Sequence, residues 1–157
     1  MTLDRDKFAM DATDKAIINR IQSDFPRTER PYASIGEEFG LDEAQVIERV
    51  SRLKESGIIR RIGGNFVPDK LGFVSTLCAA RVPEGKVEMF TEAVNQYPGV
   101  THNYLRENDY NIWFTFISPS MDEIKANLSE ISAKTGVEDI INLPATNVYK
   151  IRAQFEL

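Results

Sequence analysis

Residues 102–106 read His-Asn-Tyr-Leu-Arg. In an extended strand, where side chains alternate between faces, this spacing sets His102, Tyr104 and Arg106 side by side on one face. The row spans about 13 Å at roughly 3.3 Å per residue. His102 is the single histidine of the chain, so any general acid, general base or metal ligand that must be an imidazole falls on it. The competing reading of His102 is an ordinary half-buried strand residue. Tyr104 and Tyr110 add phenolic proton donors, and Arg106 adds a guanidinium that can hold a carboxylate through two parallel hydrogen bonds. More cations stand at Arg60 and Arg61, whose side chains point to opposite faces of a short strand, so that one of the two would enter a pocket. Lys150 and Arg152 would share one face of a final strand. Trp113 reads as a sheet-face core or interface residue before a catalytic one.

Composition narrows the field. The 157 residues, 42% hydrophobic and 27% charged, suffice for one ordinary domain or two small ones. Cys78 is the single cysteine, which rules out an internal disulfide, and one histidine with one cysteine falls short of the usual zinc ligand set. In its apolar strand Cys78 reads as an inert small residue. Zinc hydrolases recede, as do Cys/His and Ser/His/Asp hydrolases unless His102 is their base. No apolar run reaches the roughly 20 residues that cross a bilayer, and the first residues alternate charges where a signal peptide needs an apolar stretch. A cytosolic protein with no membrane partner is expected. The net charge of -5 lacks the basic excess of a dedicated nucleic-acid binder, and neither half of the chain is basic.

The elements that must position these residues change character near Gly72, which divides a first domain, 1–72, from a second, 73–157. In the first, Asp11 and Asp14 open a helix whose stripe is Ile17, Ile18, Ile21 and Phe25, ending at Pro26. A short helix over Tyr32–Phe39 stops at Gly40. Asp42 and Gln45 then cap a third helix that buries Val46, Val50 and Leu53 up to Ser56-Gly57. A short strand, a Gly63-Gly64 turn and a second short strand closed by Pro68 complete a winged helix-turn-helix. In the second domain, strands over Val74–Val82, Val100–Arg106, Asn111–Ser118 and Asn147–Ala153 interleave with two helices. One helix is marked by Val87, Phe90 and Val94, the other by the core stripe Met121, Ile124, Leu128 and Ile131. The order β-α-β-β-α-β is ferredoxin-like, with both helices on one sheet face and the other face left for a ligand or partner. The fold class is therefore α+β.

Together these halves resemble the Lrp/AsnC regulators through DATDKAIINRI, VIERVSRLKESGIIRRIGGNFVPDKLGF and NDYNIWF. The chain is more similar to the siroheme decarboxylase family, through GIIRRIGGNFVPDKLGF and GVTHNYLRENDYNIWFTF. The resemblance implies non-oxidative decarboxylation of two acetate side chains of siroheme to methyl groups, giving didecarboxysiroheme in an alternative route to heme b. It also implies that His102, Tyr104 and Arg106 are catalytic and that His102 is a proton donor or an axial ligand to the substrate's iron. Arg60, Arg61, Asn103, Tyr110, Trp113, Lys150 and Arg152 would bind substrate. No cofactor is required on this reading, because the macrocycle itself takes up the electrons. A paralogous subunit forming a heterodimer or higher oligomer is the implied partner.

Two departures separate the chain from the regulators. The reading helix begins with Asp42 and Glu43 and carries Glu48 ahead of Arg49, Arg52 and Lys54, so carboxylates would face phosphates. Asn108 and Asn111 stand where those regulators carry a Gly and an Asp, so an amino-acid effector site is not expected. Three readings remain: a siroheme decarboxylase subunit, a DNA-binding regulator with a small-molecule effector, and a catalytically silent partner of a paralogous subunit.

Overall fold

A computed structural model describes residues 10–64, 66–150 and 155–157. The chain forms two compact units, one running to Gly64 and including the C-terminal stretch from Lys150, the other spanning Asn65–Tyr149. The division comes before the expected boundary at Gly72, because the single helical turn Pro68–Leu71 leads into the first strand, with Phe73 N donating to Pro68 O at 3.1 Å.

In the first unit, α1 (Ala12–Ser23), α2 (Pro31–Phe39) and α3 (Glu43–Glu55) follow the expected order. Both anticipated capping boxes form: Asp11 Oδ1 accepts from Asp14 N at 2.7 Å, and Asp42 Oδ1 accepts from Gln45 N at 2.8 Å. Each satisfies amide groups that a helix start leaves without intrahelical partners. Gly40 ends α2 at φ 68°, a left-handed conformation that glycine adopts without a Cβ penalty. Ile17, Ile35, Val46 and Val50 make the core, flanked by Ile21, Phe25, Tyr32 and Phe39. On α1, Gln22 bonds the backbone of Phe155, whose N–H donates to Gln22 Oε1 at 3.1 Å.

The wing departs from expectation: no strand pairing forms among the described residues of 58–67. Ile59 and Ile62 instead pack on the helical core. Their three-residue spacing serves one helical groove, whereas a strand needs a period of two. Phe66 and Val67 remain exposed.

The second unit contains β1 (Val74–Ala80), α4 (Val87–Asn95), β2 (Val100–Leu105), β3 (Ile112–Ser118), α5 (Met121–Thr135) and β4 (Ile140–Leu143). Its antiparallel sheet has the order β2-β3-β1-β4. The last strand among the described residues therefore lies earlier than the expected Asn147–Ala153. Ile140, Ile141 and Leu143 supply β-formers soon after α5 ends at Gly136, and Pro144 stops the strand where another ladder donor would be needed. Residues 147–150 carry no strand, and Ile151, Arg152 and Ala153 lie outside the described residues.

Both helices cover one face of this sheet. Cys78, Ala80, Phe90, Phe114, Phe116, Ile124 and Ile131 are buried together between sheet and helices. Burial pushes the Cys78 thiol up to about 12, so it stays neutral and serves as packing.

Candidate functional site

Along β3, Ile112, Phe114 and Phe116 are buried toward the helices while Trp113, Thr115 and Ile117 stay half-buried on the opposite, open face. The β2–β3 register carries this alternation to the neighbouring strand. Tyr104 lies opposite Trp113 and His102 opposite Thr115, so both belong to the open face. The His102 and Tyr104 rings stack with centroids 6.0 Å apart and planes at 29°. The Arg106 guanidinium carbon sits 5.8 Å from the Tyr104 ring centre and 6.0 Å from that of Trp113, at cation–π range. Four residues expected at the site are thus gathered into one row.

Simple alternation from the start of β2 would not put His102 there. Val100 pairs with Phe116 and packs on the core, so two residues later His102 would also face the helices. The register shifts between Val100 and His102, leaving Thr101 as the extra residue of a β-bulge. A bulge re-aims the side chains beyond it, and here it turns His102, Tyr104 and Arg106 to the open face. Thr101 Oγ1 also lies 3.0 Å from His102 Nδ1. That contact engages one ring nitrogen and leaves Nε2 for a ligand or a transferable proton.

The hairpin between β2 and β3 adds a rim. Trp113 Nε1 donates to Tyr110 O at 2.6 Å, fixing the hairpin against the indole. The Tyr110 hydroxyl donates to Asp139 Oδ1 at 2.7 Å, a bond that holds its phenol above the ordinary tyrosine range. Arg81 stands 5.2 Å from the Tyr110 ring centre and pairs with Asp139 through Nε at 3.2 Å. With its proton committed to Asp139, Tyr110 is a weaker donor candidate than Tyr104.

One expected residue of this unit turns away from the face. Asn103 pairs with Phe114 on the helix side, where its Nδ2 donates to Asn95 Oδ1 at 3.0 Å. Arg60 and Arg61 are exposed in the irregular segment after α3, and Lys150 is exposed beyond β4, in described residues that carry no strand. Arg152 lies outside the described residues. Asn111, read against the regulators' loop, clamps the backbone: its Oδ1 accepts from Val82 N at 2.9 Å and its Nδ2 donates to Val82 O at 2.8 Å. Thr101, Arg81 and Asp139 carry no signal in the sequence reading. The residue that could have flagged the bulge is Gly99, which by itself reads only as a stop after α4.

The row of imidazole, phenol and guanidinium on an aromatic floor suits a flat, carboxylate-bearing ligand, and comparisons with known proteins identify the family. Residues 70–150 match the AsnC-like ligand binding domain, and residues 14–60 match the siroheme decarboxylase NirDL-like HTH domain. The siroheme decarboxylase alpha subunit of Desulfovibrio desulfuricans is 56% identical over 94% of this chain and 85% of its own length. The chain belongs to the siroheme decarboxylase family. Within that family, the crystal structure of siroheme decarboxylase NirDL in co-complex with an iron-uroporphyrin III analogue has a TM-score of 0.64 at 30% identity. It is matched over 89% of this chain and 47% of that one, so the chain spans about half its length. An AsnC family transcriptional regulator from Agrobacterium tumefaciens shares the fold, with a TM-score of 0.75 at 22% identity over 93% of this chain and 96% of that one.

Proposed function

We propose that this chain is a cytoplasmic siroheme decarboxylase subunit that converts two acetate side chains of its substrate to methyl groups on the open face of the β-sheet. The observation that carries the reading is the continuous row of His102, Tyr104, Arg106 and Trp113 on that face. Each turnover step breaks one C–C bond: the acetate carboxylate leaves as carbon dioxide, its electron pair passes into the macrocycle, and a proton completes the methyl group. The ring is the electron sink, so neither a pyridoxal or thiamine group nor a redox partner is needed for balance.

The chain's own residues then have limited tasks. Tyr104 and Trp113 give the macrocycle an aromatic surface, and Arg106 holds a peripheral carboxylate and with it the orientation of the ring. His102 delivers the proton or ligates the substrate's iron through Nε2. A paralogous subunit is the proposed partner, supported by the half-exposed Leu77 and Leu143, which pair across β1 and β4 on this same face.

Incubation with siroheme under anaerobic conditions, with the paralogous subunit present, is expected to yield a tetrapyrrole lighter by two carbon dioxide units by mass spectrometry. Unchanged siroheme from the complete complex would refute the assignment.

The regulator reading makes the opposite demand on the first unit. There Arg49 donates to Asp11 Oδ2 at 2.7 Å and Asp14 Oδ1 at 2.8 Å, while Arg52 donates to Asp14 Oδ2 at 2.5 Å. The Asp14 side chain is 1% exposed. Two of the three basic groups of α3 are therefore neutralised within the unit, and freeing them would strand a buried carboxylate. Affinity for duplex DNA at physiological salt is expected to be no tighter than nonspecific binding, weaker than about 1 μM. Fluorescence anisotropy against its own upstream region checks this, and tight binding with a steep salt slope would favour the regulator.

A further inference from the structure

The sheet register brings a second guanidinium level with Arg106. Leu105, Ile112 and Ala80 lie in one row across β2, β3 and β1. The next row is Arg106, whose N–H donates to Asn111 O at 2.7 Å, then Asn111, then Arg81, whose N–H donates to Asp139 O at 2.9 Å. Alternation sends Arg81 to the same face as Ala79, the residue paired with Trp113, because Cys78 and Ala80 point into the core. Arg106 and Arg81 are thus two strand spacings apart, about 10 Å at the backbone, on one side of the sheet. Aromatic rings fill the interval: Arg106 over Trp113, Trp113 bonded to the Tyr110 carbonyl, and Arg81 over the Tyr110 ring.

We propose that Arg81 is a second carboxylate-binding residue of this site, holding a peripheral carboxylate of the tetrapyrrole while Arg106 holds another. This rests on the decarboxylase reading above. A macrocycle clamped at one carboxylate can still pivot about that contact; two clamps rooted on positions about 10 Å apart along the backbone sheet fix its rotation and thereby decide which acetate meets His102. Asp139 acts as a positioning residue. It engages Arg81 through Nε and takes the Tyr110 hydroxyl with its other oxygen, so guanidinium and ring are held in fixed relation.

The test is an absorbance titration of the full chain with iron-uroporphyrin III, followed by siroheme turnover with the partner subunit present. Arg81→Ala is expected to raise the dissociation constant about 10- to 150-fold, the usual range for loss of a charge-assisted pair. Arg81→Lys should recover part of that loss by restoring the charge without the fork. Thermal midpoints should match the wild type, and partly decarboxylated product should accumulate in Arg81→Ala. Wild-type affinity and product ratio in Arg81→Ala would overturn the assignment. So would a Lys variant no better than Ala with both melting early, since that marks a purely structural ion pair. Failure of the wild-type chain to bind the macrocycle, alone or with its partner, would instead strike the decarboxylase reading itself, and Arg81 with it.

Discussion

His102→Ala is expected to lower siroheme turnover by about 100-fold or more, the range that a positioned general acid commonly contributes. The geometry supports the size of the effect. The imidazole is stacked on Tyr104 and engaged at Nδ1 by Thr101, so Nε2 is held in place on the open face. No other imidazole exists in the chain to take over.

The absorption spectrum separates the two roles. If His102 supplies the proton, the substituted protein binds siroheme with an unaltered spectrum and loses rate. If Nε2 ligates the iron, the substitution shifts the bands of the bound macrocycle, because the axial ligand sets the electronic state of the iron. Circular dichroism establishes that the variant is folded. A folded variant with wild-type spectrum and wild-type rate, assayed beside the partner subunit, would return His102 to the status of an ordinary strand residue. Catalysis would then rest on Tyr104 or on the partner.

The elements legible in the sequence are those governed by short-range chemistry. Asp11 with Asp14 and Asp42 with Gln45 announce helix starts because a capping box is completed within four residues. The stripe Ile124, Leu128 and Ile131 announces α5 because burial of one face has the helical period. The last strand escapes such a reading for the opposite reason. Both 140–143 and 147–153 hold β-formers, and the choice between them depends on which can reach β1 after α5, a long-range matter. The site is half legible. His102, Tyr104 and Arg106 share a face because their mutual spacing is two. Which face they share depends on a bulge, and a bulge is a property of two strands together. Arg81 and Asp139 join only through the β1–β4 pairing and are invisible for the same reason.

Gly99→Ala is the substitution that should expose this dependence. A Cβ at Gly99 would overlap Ile117 O and lie 3.1 Å from Phe116 Cε2. The first is a backbone atom of β3 and cannot step aside, while Gly99 O accepts from Ile117 N at 2.8 Å and ties the two chains together at that point. The added methyl must therefore push the entry of β2 away from β3, two residues before the bulge that turns His102 outward. Overpacking of this kind costs about 3 kcal/mol, which for a unit of this size corresponds to a fall in Tm of about 10 °C or more. Gly85→Ala is the control, since a methyl group there would meet nothing within 4 Å, and it should leave Tm and turnover unchanged. Below its own Tm, Gly99→Ala should still lose siroheme turnover, because slipping the register by one residue would carry His102 from the open face to the helix side. A Gly99→Ala protein with wild-type Tm and wild-type turnover would show that the bulge does not depend on the close approach at Gly99, and the orientation of His102 would need another cause.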